Sequence, residues 1–370
     1  MAAQSSKSQK PAKRSQTKTK KTMPSKAQSQ TAAPAKLTKI SNLSKPLQQT
    51  LDELGQETAL EMMRMMLLIR RFEERTTEMY QQRKIGGFCH LYIGQEAIAV
   101  GTVWAKKQDD YLVTSYRDHG FALALGMTPN ECMAEMFGKV TGCARGKGGS
   151  MHFFSKEKNF LGGHGIVGGQ IPVGTGAGFR AKYLGTDQVS LVMMGDGSIS
   201  QGAFYESVNL ASIWNLPCLY VIENNRYGMG TDVSRVVAIE ELYERALTFS
   251  IEGMAIDGME VFECYRVMKD QMEKCRKTSR PVLIEAKTYR YRGHSVSDPG
   301  KYRSKIELEA YKHADPINRT RSTLTDIGWI NDEAFKKIDK DVKAIVIQSI
   351  KFADESPEPD LEELGLHVYS

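Results

Sequence analysis

Between residues 51 and 83 apolar side chains return at helical spacing, separated by charge and uninterrupted by proline, in LDELGQETALEMMRMMLLIRRFEERTTEMYQQR. The pattern predicts one long, unbroken amphipathic helix that Gly86-Gly87 brings to a stop. Its methionines (Met62, Met63, Met65, Met66) read as core filler. Further along, short apolar runs alternate with helical ones. Residues 188–194 read as a strand, residues 200–215 as a helix with Phe204, Val208, Ala211 and Trp214 on one side, and residues 217–222 as a second strand. That is a βαβ unit. Residues 239–248 and 261–278 continue as helices and 281–286 as a strand, so the fold class is α/β: a mostly parallel sheet with helices on both faces. Before this unit, residues 138–178 are dense in glycine, as where backbone approaches a ligand or another chain closely. Pro172 suits a first helical turn, and Gly174, Gly176, Ala177 and Gly178 would give that helix a bare face for a helix or subunit interface.

Composition narrows the picture. The 370 residues are 41% apolar, enough for a sizeable globular core. The formal charge of +6 misleads, because residues 1–47 hold eleven of the 50 Lys and Arg and none of the 44 acids. The remainder is acidic, 39 against 44. Those first 47 residues mix Lys, Ser, Gln, Thr, Ala and Pro with little to bury, and are expected to be a disordered basic tail ahead of one α/β domain over 48–370 with helical extensions at both ends. A lysine-rich tail would also suit a polyanion-binding protein, although nothing in the folded region supports nucleic acid as a partner. Lys rather than Arg dominates, which argues against an import peptide. Six cysteines without a CxxC pair, no run of about eighteen apolar residues and no apolar block at the N-terminus point to reduced thiols, no membrane span and a cytoplasmic or matrix setting.

The chemistry gathers at two expected strand ends. In open α/β sheets ligands bind beyond the carboxyl ends of the strands, and right-handed crossovers bring consecutive tips to one edge. The first tip carries Gly195-Asp196-Gly197 and the second Glu223-Asn224-Asn225; the 29 positions from Asp196 to Asn225 suit a turn, a four-turn helix, another turn and a strand. A carboxylate and an amide oxygen then face one cation, and a diphosphate would complete the shell of a magnesium ion. GDG alone is a weak signal, because such aspartates often only cap the next helix. GDG with NN at this spacing is a strong one.

With these motifs the sequence resembles thiamine diphosphate enzymes. GGFCHLYIGQEAIAVG, TSYRDHGFALALG, GCARGKGGSMHFF, GHGIVGGQIPVG, GDGSISQGAFYESVNLASIWNLPCLYVIENNRYGMGT and YRYRGHSVSDPGKYR, within residues 50–325, resemble the alpha subunits of two-subunit pyruvate dehydrogenases. The resemblance implies Mg2+ held by Asp196, Asn225 and the carbonyl of Tyr227. It also implies diphosphate contacts from Tyr116, Arg117, His294 and the backbone of Gly197 and Ser198, aminopyrimidine contacts from the backbone of Gly165 and Val167, and His90 in the active-site pocket, His90 and His294 being the catalytic candidates. It further implies oxidative decarboxylation of pyruvate, transfer of the acetyl group to the lipoyl group of a dihydrolipoyl acyltransferase, and an α2β2 heterotetramer whose beta subunit supplies the glutamate against the aminopyrimidine.

Ser295 and Ser297 fall in the loop that eukaryotic relatives phosphorylate. Here SDPGKYR is one residue shorter, with Lys301 where those relatives carry a further serine, which argues for a bacterial rather than a kinase-regulated mitochondrial form. Glu206, on the helix after GDG, either joins a buried acidic path between paired cofactors or, as helix-surface glutamates usually do, faces solvent. Acetoin and branched-chain 2-oxoacid dehydrogenase alpha subunits are the near alternatives. A nicotinamide reading of Gly163-His164-Gly165-Ile166-Val167-Gly168 is set aside because KNFLGG does not read as a buried strand.

Overall fold

The computed structural model describes residues 44–366 and 368, so the expectation for residues 1–43 lies outside the described residues. Helix α1 (Lys45–Gln81) opens behind Ser44 with a proline in its first turn. Residues 45–47, grouped with the tail on composition, are therefore helical, and Leu47 packs against the core. The helix is not continuous: Gly55 takes φ 71° and ψ 165° and breaks it into two segments. All four expected core methionines are buried. The exit comes before Gly86, at Arg83, which itself turns left-handed with φ 62°.

Helix α2 (Glu96–Ala105) leads to β1 (Tyr111–Ser115), α3 (His119–Ala124) and α4 (Pro129–Met136). Strand β2 (Phe160–His164) precedes α5 (Gln170–Leu184), then β3 (Ser190–Gly195), α6 (Gly202–Ile213) and β4 (Cys218–Asn224). A short hairpin of β5 (Tyr227–Gly228) and β6 (Thr231–Asp232) follows, then β7 (Glu252–Asp257), α7 (Val261–Thr278), β8 (Val282–Lys287) and helices α8 (Lys305–His313), α9 (Pro316–Asp326) and α10 (Asp332–Glu355). Residues 242–249, expected as an α-helix, form 3-10 turns. Among the described residues six strands make one sheet in the order β2-β1-β3-β4-β8-β7, every neighbouring pair parallel.

Alternation along the strands assigns each side chain to a face. Leu191, Met193, Leu219, Val221, Val282 and Ile284 join the core under α1, α2 and α7, whereas Val192, Met194, Tyr220, Ile222 and Leu283 join the one under α5 and α6. Phe204, Val208 and Ala211 are buried as expected, but Trp214 is 46% exposed because α6 ends at Ile213.

The glycines of α5 do two different things. A Cβ on Gly174 would lie 2.5 Å from Val192 Cγ2, and one on Gly178 would lie 2.3 Å from Cys218 Sγ, so both let the helix settle on its own sheet. Gly176 meets nothing and faces outward with the exposed Val173 and Phe179. The expected bare face is thus half intramolecular. Gly174→Ala should destabilise the isolated chain by about 1–3 kcal/mol through overpacking, and Gly176→Ala should stabilise it by about 0.5–1 kcal/mol through lower chain entropy. Urea unfolding midpoints check this; equal midpoints, or the reverse order, would contradict the assignment of faces.

Candidate functional site

Because neighbouring strands are all parallel, their carboxyl ends form one rim. Ser115 pairs with His164, Gly195 with Glu223, and Asn224 with Lys287. The residues just beyond those ends are Tyr116-Arg117, Gly165, Asp196, Asn225 and Thr288-Tyr289-Arg290. One edge of the sheet therefore collects side chains far apart in sequence.

Asp196 opens a 3-10 turn (Asp196–Ser200), is 3% exposed, and has no side-chain hydrogen-bond donor among the described residues. Burial, partly offset by the Arg290 guanidinium, pushes its carboxyl up to about 6. Gly197 lies against Gly228 of the β5–β6 hairpin.

The two asparagines divide the work. Asn224 gives its amide to Glu285 at 2.7 Å and accepts from Arg226 N at 3.1 Å, so it shapes the turn. Asn225 gives its amide to Gln95 Oε1 at 2.9 Å, which aims its oxygen toward Arg290 and the Tyr227 backbone. Just after them Arg226 sits at φ 76°, a left-handed conformation uncommon outside glycine, and the Tyr227 carbonyl beyond it also meets Arg290.

Two guanidiniums are buried here. Arg117 (5% exposed) donates to the carbonyls of Leu91 and His294, and Arg290 (1% exposed) donates to the carbonyls of Tyr227 and Met229 and to the Tyr302 hydroxyl. Among the described residues neither forms an ion pair with a carboxylate, whereas Arg70, Arg71 and Arg276 all do. Burial and the nearby Arg290 push Arg117 down to about 10. A buried cation without an anion is costly, so this rim suits an anionic ligand.

His90, Tyr116 and His294 form an aromatic group, with centroids 4.4 Å apart for His90 and Tyr116 and 5.0 Å apart for the two histidines. Nδ1 of each histidine is buried without a partner. Burial and Arg117 push His90 down to about 2 and His294 down to about 4, so both are neutral at physiological pH. Gly165 and Val167 lie at the tip of edge strand β2, Val167 being 41% exposed. Nearby, a Cβ on Gly168 would lie 3.1 Å from Gln201 and 3.8 Å from the Ser198 carbonyl oxygen, which places this loop beside the Asp196 turn.

Thus Asp196, Gly197, Ser198, Asn225, Tyr227, Tyr116, Arg117, His90 and His294 share one rim, with Gly165 and Val167 at its outer end. Sequence reasoning left out Arg290 and Gln95. The only signal for Arg290 was an arginine just beyond a strand end; for Gln95 there was none, since its partner lies 130 positions away. One premise is also corrected. Residues 160–164 do form an edge strand that runs into GHGIVG, although FLGGH is not a run of five or six apolar residues; Gly163 packs against Asp118, where a Cβ would lie 2.1 Å from the carboxylate. An edge strand is not where a doubly wound sheet binds a dinucleotide, so the nicotinamide reading still lacks its context. Ser295 is buried and lies 2.9 Å from the exposed Ser297, and of the two readings of Glu206 its exposure matches the solvent-facing one.

His90 has a pH consequence. Its pKa in the fold lies below the ordinary 6.5, so the stability tied to the neutral ring is complete above pH 6.5 and is lost as pH falls, because the unfolded chain takes up the proton first. His90→Gln should therefore lose less stability than wild type between pH 7 and pH 5, by about 1–2 kcal/mol. Urea titrations at both pH values measure it, and equal losses would refute the assignment.

A family model described as dehydrogenase E1 component matches residues 63–362. The chain is 50% identical over 316 residues to the pyruvate dehydrogenase E1 component subunit alpha of Rhizobium meliloti, covering 85% of this chain and 91% of that one. It is 47% identical to the subunit of that name in Rickettsia bellii over 82% of this chain and 93% of the other. Against the human pyruvate dehydrogenase E1 component subunit alpha, somatic form, mitochondrial, identity is 43%, covering 86% and 81%. With that match spanning the sheet and its rim, the chain belongs to the dehydrogenase E1 component family.

Proposed function

We propose that this chain is the alpha subunit of a pyruvate dehydrogenase (acetyl-transferring), decarboxylating pyruvate with thiamine diphosphate and Mg2+ and passing the acetyl group to the lipoyl group of a dihydrolipoyl acyltransferase. The observation that carries the reading is the pair of buried guanidiniums, Arg117 and Arg290, left without a carboxylate beside the buried Asp196 carboxylate. A diphosphate with a divalent cation answers both at once. The names of the relatives supply the substrate.

The residues fit such a ligand. Asp196, the Asn225 amide oxygen and the Tyr227 carbonyl are hard oxygen donors suited to Mg2+, and their single carboxylate leaves most of the cation's charge to be met by the diphosphate. Arg117, Tyr116 and His294 would hold the diphosphate oxygens, with backbone from Gly197 and Ser198. Gly165 and Val167 would offer backbone to the aminopyrimidine. Bound thiamine diphosphate supplies the electron sink for loss of carbon dioxide. His90, held neutral, can accept or donate a hydrogen bond at the substrate without adding charge.

A beta partner follows from the outward face of α5 and α6. Phe179, Tyr183, Leu210, Ile213 and Trp214 are 38–79% exposed there, a large apolar surface for a water-soluble subunit. An α2β2 heterotetramer would cover it and supply the missing acid. No helix among the described residues is long and apolar enough to cross a membrane, and the placement proposed is the bacterial cytoplasm.

The isolated chain should give no pyruvate-dependent reduction of an artificial electron acceptor with Mg2+ and thiamine diphosphate, and co-purification with the beta chain should restore it. Full activity from the isolated chain, or faster turnover of acetoin or 2-oxoisovalerate than of pyruvate by the assembly, would overturn the reading. Asp196→Asn in the assembly should raise the Mg2+ concentration for half-maximal activity by more than about tenfold; an unchanged Mg2+ requirement would remove Asp196 from the ligands.

A further inference from the structure

Residues 89–93 carry His90, belong to no helix or strand, and are buried throughout. Backbone polar groups in such a segment must find partners outside it. Cys89 O accepts from Val296 N at 2.9 Å and Ile93 O from Tyr291 N at 3.2 Å. Between these ends, His90 N donates to Ser150 Oγ at 3.4 Å, Leu91 O accepts from Arg117, and Tyr92 N donates to Glu73 Oε1 at 2.6 Å. Three consecutive residues are thus pinned by three buried side chains.

One ring links those pins. His119, fully buried at the start of α3, sets Nδ1 3.1 and 3.0 Å from the two Glu73 carboxylate oxygens and Nε2 2.9 Å from both the carbonyl and the hydroxyl of Ser150. The Ser150 carbonyl can only accept, so Nε2 carries a proton, while Nδ1 and the Glu73 carboxyl share a second one between them. Burial alone would lower the imidazole; Glu73 and the adjacent Asp118 raise it instead. Phe153 stacks on the ring at 5.2 Å and Phe72 meets it edge-on at 6.3 Å. The third pin, Arg117, lies two residues before His119 on the same β1–α3 connection. A shift of this ring would therefore move the His90 backbone and the Arg117 guanidinium together.

We propose that Glu73, His119 and Ser150 form a buried strut that sets the positions of His90 and Arg117, acting as positioning residues without touching substrate or cofactor. The proposal rests on the function argued above. A pair serving only the core would lose stability on mutation and leave the kinetics of the folded enzyme alone. A positioning strut changes kcat more than the KM for pyruvate, because misplacing reacting groups by a fraction of an ångström weakens the transition state more than substrate binding.

The test uses the assembled alpha–beta enzyme. Wild type must first decarboxylate pyruvate and bind thiamine diphosphate with Mg2+; failure there sinks the proposed function, not the strut. Ser150→Ala, which removes one hydroxyl, should lower kcat by roughly fivefold or more with KM within about twofold. Glu73→Gln and His119→Gln should each lower kcat by about tenfold or more, with the double variant close to the worse single one, because the two act as a unit. Calorimetry with Mg2+ and thiamine diphosphate should show affinity weakened severalfold in Glu73→Gln, roughly as expected from a displaced Arg117. Assembled variants with wild-type kcat and wild-type cofactor affinity would overturn the proposal, as would a double variant equal to the product of the singles. Should the Glu73 and His119 variants fail to assemble, Ser150→Ala decides: unchanged kcat overturns the strut.

Discussion

A parallel sheet with its strands in register sends every carboxyl end to one edge, and the rim of this molecule depends on that constraint. Asp196 and Asn225 follow neighbouring strand ends because Gly195 pairs with Glu223; Arg290 joins them because Asn224 pairs with Lys287. A slip of one residue along β4 would turn Asn225 away and also send Tyr220 and Ile222 to the wrong face. The burial of both faces thus protects the geometry of the rim: the sheet cannot lose one without losing the other. The short bonds at the tips, such as Asn224 to Glu285, only trim what the register has already aligned.

The cost of this gathering is electrostatic. Among the described residues Arg117 and Arg290 lie buried without an ion pair, and burial pushes the acids of the rim upward, Asp118 and Glu223 to about 7, even though the guanidiniums pull Asp196 and Glu223 the other way. Glu223 is further held by the Tyr92 hydroxyl. The histidines respond in the opposite direction and stay neutral. A cation alone would meet only one carboxylate, and a diphosphate alone would meet guanidiniums already engaged with carbonyls. The two together satisfy both sets of groups, so the residues fit the pair better than either member.

How much of this was legible in the sequence follows from the range of each interaction. The βαβ unit and the GDG and NN tips could be read because period and spacing are local and survive without tertiary information. The methionine-rich helix was read correctly in its burial but not in its continuity: Gly55 stood inside a convincing periodic run, and only its positive φ exposes the break. Trp214 was placed inside by extrapolating a helix that stops one residue earlier. Strand β2 escaped notice because two of its five residues are glycines, chosen for contact with Asp118 and Phe154 rather than for strand propensity. The resemblance named most of the rim and singled out Asn225 over Asn224, but the contacts that give the two different roles are made with partners 130 and 61 positions away and leave no local signal.

The two helices that close one face of the sheet also bear on the proposal that a second chain completes the site. Loop 165–168 joins edge strand β2 to α5, and Ile166 (78% exposed) stands beside Val167 at its tip. That loop continues directly into the helix whose outer side carries Val173, Gly176, Phe179 and Tyr183. Apolar surface of this kind is stabilised by being covered, and whatever covers α5 must also approach the loop that leads into it. The exposed end of the rim and the surface that calls for a partner thus lie along one stretch of chain. A second chain docked there would close the open end of the rim, which is where the acid proposed to come from a beta partner would have to arrive.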